Sequence, residues 1–262
     1  MKNRDSLYHF LEKSYEKYNR ISYARTDPIF YPIFHEGNKE YIAIISALFA
    51  YGKVSLIQKF LDSYFDVFGF NPSKRVEKVN LYYRFQKSLD IVILHNFLFD
   101  IYDKYGSIRD LFLFFSDNLE KSLKNFINAG REFGIKYGAG SGYFQLFPDP
   151  DKSGLKRLRM FLRWMVRDDE IDLGLWKGYS PKELMYPIDT HILRFAKHFS
   201  IIKSENNIAK NSKIITDFFV EINSVDPLKY DFTITRLGML CNCHFDRSSL
   251  CENCIYFAEC PF

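Results

Sequence analysis

The chain has 262 residues, 47% of them apolar, with 27 Phe and 18 Tyr, enough to bury a large core as one domain or two interlocked lobes. Gly and Pro are few, at 13 and 9, and no stretch alternates apolar and polar residues long enough for a sheet, so an all-α fold is expected. The formal charge of +4 and pI near 8.6 are compatible with a nucleic-acid partner without arguing for one. No apolar run follows the basic N-terminal residues, and the longest, Tyr41 to Tyr51, is too short to span a bilayer; a soluble cytoplasmic protein is expected.

In chain order, Asp5 caps an opening helix that runs to Tyr18, with Leu7, Phe10, Leu11 and Tyr15 on one face. Asp27 to Phe34 carries two prolines and reads as an extended connector. Helices follow over Lys39 to Phe49 and Val54 to Val67, interrupted at Gly52. Helical patterns return over Ser88 to Tyr105, Ile108 to Phe115 and Leu119 to Phe133, with Gly106 and Ser107 as a C-cap and N-cap. Tyr137 to Ser153, with three glycines and two prolines, is either a phosphate-meeting loop or lid, or a plain surface connector. Its GAGSG lacks the preceding strand and following GK[ST] of a nucleotide fingerprint.

Two chemically marked helices come next. From Leu155, the apolar residues Leu155, Leu158, Leu162 and Met165 form one stripe, and Lys156, Arg159, Arg163 and Arg167 another. The apolar face should pack and the cationic face should meet an anion. The second helix begins at Pro187, a residue tolerated in a first turn, and places Asp189 in that turn at the positive end of the helix dipole. Ile188, Ile192, Phe195, Ala196 and Phe199 continue its buried face. Two helices starting on a lysine and on a carboxylate can aim both groups into one cleft. Further helices are expected over Asn211 to Asn223 and within Val225 to Leu240, ending at Gly238.

All five cysteines, Cys241, Cys243, Cys251, Cys254 and Cys260, lie in the last 22 residues. That concentration points to a bound metal in a reducing compartment rather than a disulfide framework.

In its PIDTHILRFA segment and its Cys243-x7-Cys251-x2-Cys254-x5-Cys260 tail, the chain resembles the helix–hairpin–helix DNA glycosylases of endonuclease III type. Its LFAYG (48–52), YRF (83–85), YGS (105–107), FLRWMVRDD (161–169), DLGLW (172–176) and KYDF (229–232) segments resemble a bacterial family of unknown function distantly related to them. Lys156 and Asp189 are 33 positions apart, and this gap is similar to that of archaeal 8-oxoguanine glycosylases. PDPDKSGLK departs from the superfamily's L-P-G-x-G-x-K hairpin, keeping Gly154 two before Lys156 and losing the other glycine; the first cysteine gap is also longer.

The resemblance implies an all-α, two-lobed glycosylase-like fold over residues 1–240 and a cysteine-ligated cluster loop over 241–262. It implies a monomeric DNA repair glycosylase with AP-lyase activity on damaged double-stranded DNA, oxidised purines favoured. Lys156 falls at the nucleophile position and Asp189 at the active aspartate. Like-charge repulsion from Arg159 and Arg163 would favour the neutral amine.

Gly154, Arg157, Arg159 and Arg163 would contact DNA, and Trp164 or Trp176 would stack on an extruded base, although core packing suits either tryptophan. His191 is expected to be structural, hydrogen-bonded nearby. Cys243, Cys251, Cys254 and Cys260 would hold a [4Fe-4S] cluster, with Cys241 the alternative first ligand and zinc the alternative metal. The alternative functions are a non-catalytic nucleic-acid-binding module and an enzyme acting on a nucleoside or RNA.

Overall fold

Asn38, Ser107, Asn118, Asp189 and Asn207 each start a helix in the same way. A side-chain oxygen accepts the backbone N–H three residues on, at 2.8–2.9 Å, satisfying one of the donors a helix start leaves open. The computed structural model describes residues 4–240 together with Cys243 and Phe245. Within them the helices are α1 (Arg4–Tyr18), α2 (Phe30–Phe34), α3 (Lys39–Leu48), α4 (Val54–Phe68), α5 (Ser88–Tyr105) and α6 (Ile108–Phe115). They continue as α7 (Leu119–Lys136), α8 (Ser141–Phe144), α9 (Lys156–Val166), α10 (Thr190–His198), α11 (Ile208–Ile222) and α12 (Asp231–Leu240). Short 3-10 helices cover Ile21–Thr26 and Pro181–Glu183. Among the described residues there is no strand, and β-type pairing is limited to two isolated bridges, Tyr83 with Gln86 and Asp168 with Leu173. The fold is all-α.

Three expectations are corrected. Asp27 to Phe34 is not extended throughout: α2 forms because Asp27 accepts the Ile29 N–H at 3.1 Å, and Pro32 falls in a first turn that needs no donor there. Asp189 is the residue that caps α10 rather than a member of its first turn. The 137–153 segment is not a poised loop. Gly140 donates its N–H to the Asp90 carboxylate at 2.7 Å, and the Gly142 carbonyl accepts from Gln86 Nε2 at 2.7 Å. The anion this backbone meets is the protein's own.

Helix α3 is buried from Glu40 to Leu48 and packs against α2 and α9. Helices α5, α6, α7 and α8 pack together, and α12 lies against both α10 and α1. The buried Glu40 ties α3 to α5, to α6 and to the segment carrying Trp176. It accepts from Ile108 N (2.7 Å) and Arg109 N (3.0 Å) at the start of α6, from Tyr102 Oη (2.8 Å), and from Trp176 Nε1 (2.6 Å). A carboxylate at a helix N-terminus with neutral donors around it is a satisfied buried charge. No helix among the described residues is long and apolar enough to cross a membrane.

Candidate active site

Helix α9 starts abruptly. Leu155 is in the left-handed region at φ +53°, which turns the chain so that Lys156 is the first helical residue. Gly154 is buried, and a Cβ there would fall 2.3 Å from Ile208 Cγ2, so the close approach to the start of α11 requires glycine. Lys156 is thus set on a fixed corner, half-buried.

Lys156 and Asp189 line one cleft of about 460 Å³, walled by α9, the 187–193 segment, α12 and the residues before α2. Asp189 is held twice: Oδ1 accepts the Ile192 N–H at 2.8 Å, and Oδ2 accepts the Thr235 hydroxyl at 3.3 Å. The cleft also contains Asp27, Arg163, Asp231 and Arg236. Arg163 donates to Asp231, and Arg236 to Asp27, so these four charges form two internal ion pairs. Neither Lys156 nor Asp189 forms an ion pair among the described residues. The cleft therefore presents one amine and one carboxylate that its other charges do not neutralise.

Two further groups adjust its proton chemistry. Asp231 is fully buried; burial and the nearby Asp189 charge raise its pKa and Arg163 opposes them, leaving it pushed up to about 6. Burial pulls the His191 pKa below the ordinary imidazole value, with Arg194, Lys156 and Arg236 pushing the same way and Asp189 opposing. Among the described residues His191 Nδ1 has no hydrogen-bond partner, which corrects the expectation of a bonded structural histidine. It packs on Gly238, where a Cβ would come within 2.0 Å of Nδ1.

The cationic stripe does not face outward. Arg159 is 7% exposed, with Nη1 and Nη2 donating to the two Glu120 oxygens at 2.6 and 3.0 Å and Nε to the Gly154 carbonyl at 3.1 Å. Arg163 pairs with Asp172 at 3.2 Å and with Asp231; Arg167 pairs with Asp169 at 3.0 Å, Asp226 at 2.9 Å and Asp172. Buried guanidinium groups need such partners. Their charge is compensated internally, so neither the phosphate contacts expected of Arg159 and Arg163 nor their repulsion of Lys156 has geometric support.

Arg157 differs from its neighbours. It donates to the Leu48 carbonyl at 2.6 Å and to the Gln145 carbonyl, lies 4.9 Å from the Tyr51 ring centroid, and meets no described carboxylate. Trp164 and Trp176, at 0% and 2% exposure, belong to the core and line no part of the cleft. Trp176 contacts Phe112 and Phe161 in addition to Glu40. A base-stacking role for either is corrected.

Asp27, Asp231, Thr235 and Arg236 were not anticipated. Asp231 stands inside the KYDF segment, and that segment was the one signal available. Of the proposed metal ligands, Cys241, Cys251, Cys254 and Cys260 lie outside the described residues. Cys243 is half-buried just past α12 and donates its N–H to the Leu237 carbonyl at 3.3 Å.

Residues 27–240 match the model of a family described as "Protein of unknown function (DUF2400)". The match spans most of the chain, and the protein belongs to that family. No curated protein and no solved structure matches it. The family found is one of unknown function and no helix–hairpin–helix glycosylase family matches, so the assignment to that superfamily made on PIDTH and the cysteine spacing is corrected on that finding.

Proposed function

We propose that the Lys156–Asp189 cleft removes a damaged base from double-stranded DNA and then acts as an AP lyase. The observation that carries this reading is the cleft's charge arrangement. Two internal pairs absorb Asp27, Arg236, Arg163 and Asp231, and an amine and a carboxylate from distant segments, neither ion-paired among the described residues, line the same space.

In this reading Asp189 takes a proton from the lysine ammonium, and the neutral Nζ attacks the sugar C1′ as the bond from C1′ to the base nitrogen breaks. The departing base takes the electron pair and a proton. Asp231, which lines the cleft and whose pKa is pushed up to about 6, would donate that proton in its protonated form, released from its ion pair with Arg163. Opening of the sugar ring, with a proton to O4′, gives a lysine Schiff base. Loss of a C2′ proton then expels the 3′ phosphate and breaks the strand. Where the lysine is already neutral, the Asp189 carboxylate instead offsets the positive charge that develops at C1′.

Cys243, Cys251, Cys254 and Cys260, with Cys241 the alternative first ligand, are, in the same proposal, the ligands of a [4Fe-4S] cluster or of zinc. Their thiolate chemistry suits either metal, and no step above passes through it. An absorption band near roughly 400 nm with bound iron and sulfide supports the cluster, and a colourless zinc protein replaces it.

One observation favours a second reading. Both Asp189 oxygens already serve the start of α10 and Thr235, a structural duty that suffices to explain the residue. On that reading the protein binds nucleic acid without cutting it. Borohydride trapping separates the two. Duplexes carrying 8-oxoguanine, thymine glycol, uracil or an abasic site are incubated with the protein, with and without borohydride. A covalent adduct lost in Lys156→Gln supports the lyase; salt-dependent binding with no adduct and no base release across the panel leaves the binding module.

A further inference from the structure

A second cleft, of about 580 Å³, adjoins the first and shares Ala50 and Lys156 with it. Ala50, Tyr51 and Gly52 of the LFAYG segment (48–52) line it, and Tyr51 and Gly52 in turn meet the YRF segment (83–85); the proposed chemistry uses neither segment. The structure brings them together. Tyr83 Oη donates to the Tyr51 carbonyl at 2.5 Å, and Tyr51 Oη donates to Gln86 Oε1. Tyr83 and Gln86 exchange backbone hydrogen bonds at 3.0 and 2.9 Å, closing a two-residue turn with Arg84 and Phe85 at its tip.

That tip is rigid and exposed. Gln86 is buried and anchored to the Gly142 carbonyl, and Tyr83 is buried against Phe49 and Phe60. Arg84 adopts φ +51°, a conformation that costs a side-chain-bearing residue energy and that surrounding structure must enforce. A Cβ on Gly52 would lie 2.5 Å from Arg84 Nη1, so glycine at 52 leaves the guanidinium its place. Phe85 is 52% exposed and Tyr82, beside it in the chain, 79%. The Tyr51 and Phe85 rings are parallel within 9°, and the Arg84 guanidinium carbon lies 5.5 and 5.6 Å from their centroids.

Among the described residues no carboxylate pairs with Arg84 or Arg157, in contrast to Arg159, Arg163 and Arg167. Exposed aromatic faces on a fixed turn, interleaved with uncompensated guanidinium groups, supply base stacking and phosphate attraction together. We infer that the Tyr51–Arg84–Phe85 platform, with Arg157, binds an unstacked single-stranded segment of nucleic acid as it leaves the Lys156 cleft. The inference rests on the proposed reading of that cleft for the identity of the ligand.

The test uses the full chain and a fluorescein-labelled single-stranded DNA of mixed sequence, titrated by anisotropy across a potassium chloride series. Phe85→Ala should weaken binding about tenfold, the loss of one base–aromatic stack, with the salt slope unchanged. Arg84→Ala should weaken binding and reduce the slope of log K against log salt by about 0.7, while Arg84→Lys restores the slope without the full affinity. Thermal melts within a degree or two of wild type confirm folding, as expected for two exposed positions.

Borohydride trapping on an abasic duplex, at saturating protein, is run alongside. If wild type traps but both variants bind single strands as tightly as wild type, the platform is wrong and the cleft reading stands. Failure of wild type to bind single strands also overturns it. If binding depends on Arg84 and Phe85 but nothing traps, the platform stands and the lyase reading falls.

Discussion

The two ends of α9 carry the same kind of residue to opposite fates. At its C-terminal end Arg163 and Arg167 are buried with Asp169, Asp172, Asp226 and Asp231, every one of them a carboxylate of this chain. At its start Lys156 and Arg157 meet no described carboxylate, and each borders a cleft. Arg159, between them, is taken by Glu120. A cation on a helix is structural or available according to whether a carboxylate from another element reaches it. Charge alone does not distinguish the two.

The largest effect comes from breaking the compensated end. Asp172 is inaccessible to solvent and accepts from both Arg163 and Arg167, so Asp172→Asn leaves two buried guanidinium groups short of a partner. We expect a loss of about 3–5 kcal/mol, read as a lowered urea midpoint.

Next is the pH dependence of Asp231, whose folded pKa is raised from 3.8 to about 6. A raised carboxyl favours the protonated fold, so its contribution is complete below about pH 4 and is lost as pH rises through about 6, by up to about 3 kcal/mol. Urea melts across this window should show that decline, and Asp231→Asn should flatten it. If Asp231 is the proton donor, single-turnover base release falls above about pH 6 as well.

Asp189 sharpens the comparison because it serves both structure and the proposed chemistry. Asp189→Ala should cost about 1 kcal/mol through the lost cap, whereas Asp189→Asn keeps a capping oxygen and should cost only a few tenths. Both should abolish base release. Full activity in the asparagine variant would remove the carboxylate from the mechanism.

The smallest stability effect is expected at the uncompensated end. Lys156→Gln should change stability by less than about 0.5 kcal/mol, since no ion pair is lost, yet eliminate the borohydride adduct. A large destabilisation would show that Lys156 belongs with its buried neighbours.

Much of the architecture was legible in the residues. The helices over 88–105 and 108–115 follow from apolar periodicity with Gly106 and Ser107 between them, and the structure starts and ends them there. The juxtaposition of Lys156 and Asp189 was anticipated because both stand where a helix begins. Asp27, Asp231 and Arg236 were missed because they come from a short helix's approach and from α12, distant in sequence, and no local spacing links them to α9.

Sequence by itself determined which faces of these helices are apolar, where α3, α4, α5, α6 and α7 start, and that α9 carries its cations on one side, because periodicity, capping and turn chemistry act over four or five residues. What that cationic side faces was decided only by the tertiary structure. Glu120, Asp172, Asp226 and Asp231 lie 5 to 68 positions from the arginines they meet, and burial forces each guanidinium to find a carboxylate. The same packing brought Tyr51, which borders the second cleft with Lys156, to Arg84 and Phe85, and no described carboxylate pairs with Arg84, an arrangement that no local pattern encodes.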